Sequence, residues 1–267
     1  GTGGGGSGGR AGTGGGSGSG GRVGSGGSGS GGAGPTTCNV GPATNGNGSF
    51  TQYWFSQGTG MENGGFRLAC GYFGTGQGGD GRSDMVQNIA NPRQFAAIPA
   101  RSPTDFNSVG YCGACAEVTG ANGSRAIVTI VDMCPQSSNP ICNGNPSGHL
   151  DLSVSTMDML GFPRRDPSNT TWRFVPCPVT GNVIVRIKQG NQNELFVENT
   201  RVPIRSVEWN GTQASRTSYG AWHYNSNLTA GSTLIITDTS NRVLTYTLAH
   251  ANQNVNQDTG YQFPQCL

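Results

Sequence analysis

Charge is scarce in this sequence. Asp, Glu, Lys and Arg make up only 11% of the residues, Lys188 is the only lysine, and 16 bases against 14 acids leave a net charge of +2. No basic run or stripe is present to neutralise a phosphate backbone, which excludes a nucleic-acid binder. Long apolar runs are missing as well. None approaches the ~18 residues that a membrane-spanning helix needs, so no membrane insertion is expected. An initiating Met is also missing: the sequence begins at Gly1, and a signal peptide already removed is the expectation.

Asn, Gln, Ser, Thr and Gly stand where charge would be. Such a surface hydrogen-bonds without charge and suits a neutral, hydroxyl-rich partner such as a polysaccharide. Glycine is unevenly spread: 21 of the 47 lie in the first 34 positions. Residues 1–36 therefore read as a Gly/Ser-rich disordered linker, too poor in apolar side chains to offset chain entropy. The remaining length has room for two modest domains.

The eight cysteines are Cys38, Cys70, Cys112, Cys115, Cys134, Cys142, Cys177 and Cys266. An even count in a low-charge chain reads as disulfides in a secreted, extracellular protein. The rival reading is zinc, because the CGAC of 112–115 has metal-knuckle spacing. No second such pair follows, and His149, His223 and His250 sit apart. No metal and no cofactor are expected.

Order is expected to begin near Cys38 or Phe50. The aromatic run 49–55 (SFTQYWF) predicts a strand, and 91–95 (NPRQF) a short helix with Pro at its first turn. Strands follow at 114–119 and 125–132, the second apolar at nearly every position and so buried on both faces. A short strand at 149–152 precedes a helix at 154–160, with 155–158 (STMD) as a capping box and Gly161 at its end. A strand at 171–175 closes the first domain near Cys177. Beyond Pro178, strands at 183–187, 195–197, 204–209, 232–237 and 243–248 argue for an antiparallel sandwich.

Three segments carry chemistry: Thr51-Gln52-Tyr53-Trp54-Phe55, Val131-Asp132-Met133-Cys134-Pro135, and Gly148-His149-Leu150-Asp151-Leu152-Ser153. They place two carboxylates, Asp132 and Asp151, at strand ends with a hydroxyl and a tyrosine nearby. Paired carboxylates beside an aromatic suit glycosidic-bond chemistry. The structural alternative is equally open from pattern alone: Asp132 ends a strand and Asp151 makes turn hydrogen bonds.

The ordered set ACGY at 69–72, YCGAC at 111–115, VDMCP at 131–135 and HLDLS at 149–153 resembles the expansins, and the match extends over about 50–267. The resemblance implies an all-β fold with few short helices. A six-stranded double-psi β-barrel (37–177), shared with the family 45 endoglucanases, is followed by an immunoglobulin-like β-sandwich that binds carbohydrate (178–267). In those endoglucanases the general acid corresponds to Asp151, and the base to the residue here occupied by Phe55. An inverting hydrolase needs a second carboxylate ~6.5–9.5 Å from the first, and Phe55 cannot serve. Glu62 is the one candidate for a displaced base. The expansin groove set maps to Thr51, Tyr53, Asp132 and Asp151. His149 is as consistent with a structural hydrogen-bonder as with a groove residue, and Trp54 reads as core.

In the sandwich, pyranose rings stack on flat aromatic faces. Where bacterial expansins carry a Trp pair, residues 190–194 (GNQNE) carry none. Tyr219 matches the third family aromatic, and Trp222 and Tyr224 follow in the same loop, so all three are expected to bind polysaccharide. Trp209 and Tyr246 read as core. By resemblance to plant expansins, the disulfides are Cys70–Cys112 and Cys115–Cys177. Cys134 and Cys142 then form a local clasp beside Asp132, which leaves Cys38–Cys266. That last pair is dictated by neither motif nor spacing, and a free Cys38, or one bonded to another chain, stays open.

The function expected is a non-hydrolytic, monomeric cell-wall-loosening protein. It binds cellulose or another β-glucan, with xyloglucan or peptidoglycan as further partners. The alternatives are a weak family 45-like endoglucanase and a carbohydrate-binding module without loosening activity.

Overall fold

The computed structural model describes residues 38–41, 46–53, 69–70, 94–101, 106, 110–120, 122–144, 148–163, 168–217 and 220–266. Six strands close a barrel: β1 (Gly46–Tyr53), β2 (Phe95–Ala100), β3 (Cys115–Thr119), β4 (Arg125–Pro135), β5 (Leu150–Ser153) and β6 (Ser168–Val175). Their order around the barrel is β1-β5-β2-β4-β3-β6. The β1/β5 and β2/β4 pairs are parallel, and the others are antiparallel.

The interior follows the period of two that strands impose. Phe50, Ala96, Ile98, Val118, Val128, Ile130, Leu150, Leu152, Trp172 and Phe174 all enter one buried cluster. The residues between them therefore point to the outside of the barrel. Gly48 has a specific role in this packing. A Cβ there would lie 1.4 Å from the Gly148 carbonyl oxygen, so only glycine lets β1 pass close to the turn that leads into β5.

Two expectations are corrected here. Phe95, placed at the end of a short helix, instead opens β2, and residues 91–93 lie outside the described ones. All six β2 residues are buried, so no alternation marks the strand, and its Ala-rich composition favours helix locally. Pairing with β4 and β5 decides the conformation. The helix after β5 is α2 (Val154–Leu160), following α1 (Pro140–Gly144). The capping box expected at 155–158 is replaced by an N-cap at Ser153 that makes no side-chain cap bond. The Ser153 hydroxyl instead meets Thr156 Oγ1 at 2.7 Å and accepts from the Phe95 N–H at 3.4 Å. Tertiary pairing has taken the cap group. Gly161 ends α2 in the left-handed region at φ 69°, as the sequence suggested.

The second half packs two sheets. One is β10 (Thr212–Gln213), β9 (Ile204–Trp209), β13 (Thr233–Asp238) and β14 (Val243–Thr247). The other runs β11 (Ser215–Arg216), β12 (Trp222–His223), β8 (Glu194–Glu198), β7 (Ile184–Ile187) and β15 (Gln257–Asp258). Val185, Ile187, Leu195, Val207, Leu234, Ile236 and Phe263 are among the buried side chains between them. The five longer strands match the sequence reading to within a residue or so. The two-residue strands were too short to carry a period.

Disulfides join Cys70 to Cys112 and Cys115 to Cys177, the two pairs that the resemblance implies, Cys134 to Cys142 as the local clasp, and Cys38 to Cys266, the pair that was left over. No helix is long and apolar enough to cross a membrane among the described residues.

Candidate functional site

Strand register builds the site. Thr51 of β1 is paired with Asp151 of β5, Asp151 with Ala97 of β2, and Ala97 with Asp132 of β4. The four residues form one row across four strands, alternating with the core residues Phe50, Leu150, Leu152, Ala96 and Ile98. They therefore stand on the outer face of the barrel. A shift in register between Ala96 and Ala97 brings Asp132 opposite Ala97. The small Ala97 separates the two carboxylates, and with strands ~4.8 Å apart their Cα atoms lie about 10 Å from each other.

Asp151 is buried, and among the described residues its side-chain hydrogen bonds converge on one oxygen. The Thr51 hydroxyl donates to Asp151 Oδ1. His149 Nε2 lies 2.8 Å from the same oxygen and 3.1 Å from Thr51 Oγ1. His149, with no exposed surface, meets the Ser49 hydroxyl through Nδ1 at 2.8 Å. Ser49 and Thr51 are two apart on one strand, as are His149 and Asp151 at the start of the next, so the period of two assembles all four.

Asp132 is held differently. Its Oδ1 accepts the backbone N–H groups of Ala69 at 2.8 Å and Met133 at 2.9 Å. Burial raises its pKa from the usual 3.8 to about 6. The two N–H bonds oppose that rise, and the nearby charge of Asp151 adds to it. Asp132 thus changes charge near pH 6, where a carboxyl can exchange protons with a ligand.

The Cys134–Cys142 clasp lies against Asp151, with both sulfurs and a carboxylate oxygen mutually within 4.8 Å. This cluster does not suit a metal, because both sulfurs are spent in the disulfide and neither is a thiolate.

Thr51, His149, Asp151 and Asp132 are brought together. Tyr53 continues β1 opposite Ser153. Phe55, Glu62, Trp54 and Tyr219 lie outside the described residues. Trp222 and Tyr224, expected as exposed sugar-binding rings, are instead buried at 4% and 2% exposure in the sandwich core. Trp222 pairs with Leu195, and Tyr224 meets Trp209 edge-on at 5.5 Å. Burial pushes the Tyr224 phenol well above its usual range, with a further rise from Glu208. Their spacing held the clue: the half-buried His223 between them faces the other way, the alternation of a strand. Trp209 and Tyr246 pack against that core as read.

Trp222 also borders a cavity of about 60 Å³ where barrel meets sandwich, lined by Cys70, Cys112 and Thr129 on one side and Phe196 and Glu198 on the other. Two site residues escaped the sequence reading. Ser49 was signalled only by its two-residue offset from Thr51, and Ala97 was hidden with β2.

The described residues thus form a closed six-stranded barrel with a carboxylate row on its outer face, followed by a two-sheet sandwich. No protein-family model matches the chain. Expansin-YoaJ of Bacillus subtilis is 30% identical over 142 residues, 51% of this chain and 56% of the relative. Expansin-like protein 2 of Dictyostelium discoideum is 32% identical over 139 residues, 49% of this chain and 33% of the relative. The chain thus spans about half or less of these curated relatives. The fold is similar to the apo crystal structure of the Clavibacter michiganensis expansin, with a TM-score of 0.60 and 23% identity over 83% of this chain and 98% of that one. A mutant of that expansin, in complex with cellohexaose, matches equally well over 82% of this chain. The chain is similar to expansins, in sequence over about half its length and in fold over most of it.

Proposed function

We propose that the protein is a secreted, monomeric, non-hydrolytic wall-loosening protein that grips a β-glucan along a groove and disturbs its lateral hydrogen bonds. The barrel domain (37–177) supplies Thr51, Tyr53, His149, Asp132 and Asp151, and the sandwich domain (178–267) supplies Tyr219. The observation that carries the reading is the row Thr51–Asp151–Ala97–Asp132, whose two carboxylates face one side of the barrel. The cellohexaose complex of the Clavibacter michiganensis expansin supports a cellulose-like ligand.

The polar row suits sugar hydroxyls, since carboxylates and hydroxyls make charge-assisted bonds to them. Hydrolysis asks for more. The donors gathered on Asp151 Oδ1 use that oxygen as a hydrogen-bond acceptor. The base position of the related endoglucanases is Phe55. Weak hydrolysis is the second reading, favoured by one observation: Asp132 binds a proton up to about pH 6. Cellohexaose titrated into the wild-type chain and into Asp151→Asn tests the proposal. Tight binding by wild type and at least tenfold weaker binding by the variant is expected, and equal binding overturns it.

A further inference from the structure

The Thr51–His149–Asp151 cluster leaves one proton to be placed. His149 Nε2 and Asp151 Oδ1 are 2.8 Å apart, so a hydrogen must lie between them, because two bare lone pairs at that distance repel. It sits either on Nε2, with Asp151 ionised, or on Asp151, with Nε2 accepting. His149 has no exposed surface, so water does not reach Nδ1, and its partner is the Ser49 hydroxyl at 2.8 Å. A hydroxyl rotates to donate or accept. Thr51 already gives its hydrogen to Asp151 Oδ1, so the contact between Nε2 and Thr51 Oγ1 at 3.1 Å needs a hydrogen on Nε2. Nδ1 then carries a lone pair and Ser49 must donate to it.

We propose that Ser49 is a positioning residue whose hydroxyl holds His149 as the Nε2–H tautomer, and through it keeps Asp151 Oδ1 an acceptor oriented for a sugar hydroxyl. The role of Asp151 toward sugar rests on the glucan reading, whereas the tautomer does not. The chain of donation runs from Ser49 O–H to Nδ1, from Nε2–H to Asp151 Oδ1 and Thr51 Oγ1, and from Thr51 O–H to Asp151 Oδ1. Removing Ser49 strands a buried lone pair on Nδ1. The ring relieves this by rotating or by taking a proton at Nδ1, and either change disturbs the Nε2–H donated to Asp151.

The test is nitrogen-15 NMR of imidazole-labelled full chain at neutral pH, with His149 assigned by His149→Gln. Wild type is expected to give the Nε2–H pattern, Ser49→Thr to keep it, and Ser49→Ala to lose it. An Nδ1–H or doubly protonated ring in wild type overturns the proposal without recourse to any variant, so misfolding of Ser49→Ala does not shield it. An unchanged Nε2–H pattern in folded Ser49→Ala overturns it as well. Cellohexaose affinity is read on the same samples, with a fall of about tenfold expected for Ser49→Ala. If wild type binds no cellohexaose, the glucan reading fails while the NMR still decides the tautomer. Binding by wild type with an altered tautomer but full affinity in Ser49→Ala refutes the link to Asp151.

Discussion

Asp132 carries opposite consequences for stability and for function. Its folded pKa, raised from 3.8 to about 6, means the folded chain holds a proton that the unfolded chain releases between those values. The associated stability is fully present below pH 3.8 and is lost as pH rises through 6, on the order of 3 kcal/mol in all. Asp132→Asn removes the buried charge and can still accept from Ala69 and Met133. The variant should therefore melt higher than wild type at pH 7.5, with the difference vanishing by pH 4, while losing ligand affinity. Thermal denaturation at both pH values checks this, and a lower melting point at pH 7.5 would place Asp132 among residues kept for the fold. The two aspartates were legible as a pair because each is a lone carboxylate in a β-rich run, although both lie inside their strands and not at the ends the sequence suggested. Their different environments were not, since a partner such as the Ala69 N–H is 63 positions away.

Elements were readable where a single period ran long enough. The five longer sandwich strands showed theirs, and β4 was legible instead as a continuous apolar run. β2 showed no period, because burial of all six residues erases alternation. Trp222 and Tyr224 sat in a segment whose strand has only two residues, and loop composition outweighed the alternation there. The clasp over 134–142 shows how an element can serve the site. It forms a wall against Asp151, and Ile141 on α1 is exposed beside the buried Cys142. Replacing both cysteines by serine releases a closure of 8 residues, worth about 2.5 kcal/mol in the chain-entropy description. The expected result is a modest fall in melting temperature with a larger fall in cellohexaose affinity. Unchanged affinity in a folded variant would show that the wall does not serve the site. Gly48→Ala is a sharper break: with backbone oxygen in the way, the turn before β5 must move, and the barrel should lose several kcal/mol of stability in urea unfolding.

At the scale of the whole molecule, a short strap ties the two halves. Cys38 is bonded to Cys266, 228 positions away. The Asn39 N–H donates to Ser240 Oγ at 2.8 Å, and Thr239 donates to the Asn39 carbonyl. Val40 then packs on the barrel core, and Gly41 lies against the Phe174 ring. Cysteine arithmetic could suggest this link only as the remaining pair, because contacts between halves leave no local pattern. Cys38→Ser with Cys266→Ser should cost up to about 5 kcal/mol and broaden the distribution of sizes in small-angle scattering. Unchanged unfolding and scattering would mean that the barrel and sandwich hold their arrangement without the strap.

A protein that grips a glucan and does not cut it should separate mechanical loosening from bond cleavage. The most direct measurement follows creep of wall strips under load and reducing ends released into the same bath, for wild type and Asp151→Asn together. Wild type should extend the strips with no reducing ends above the level of the variant, and the variant should do neither. Reducing ends that accumulate with wild type and disappear with Asp151→Asn would make the carboxylate row a hydrolase site and contradict the non-hydrolytic reading.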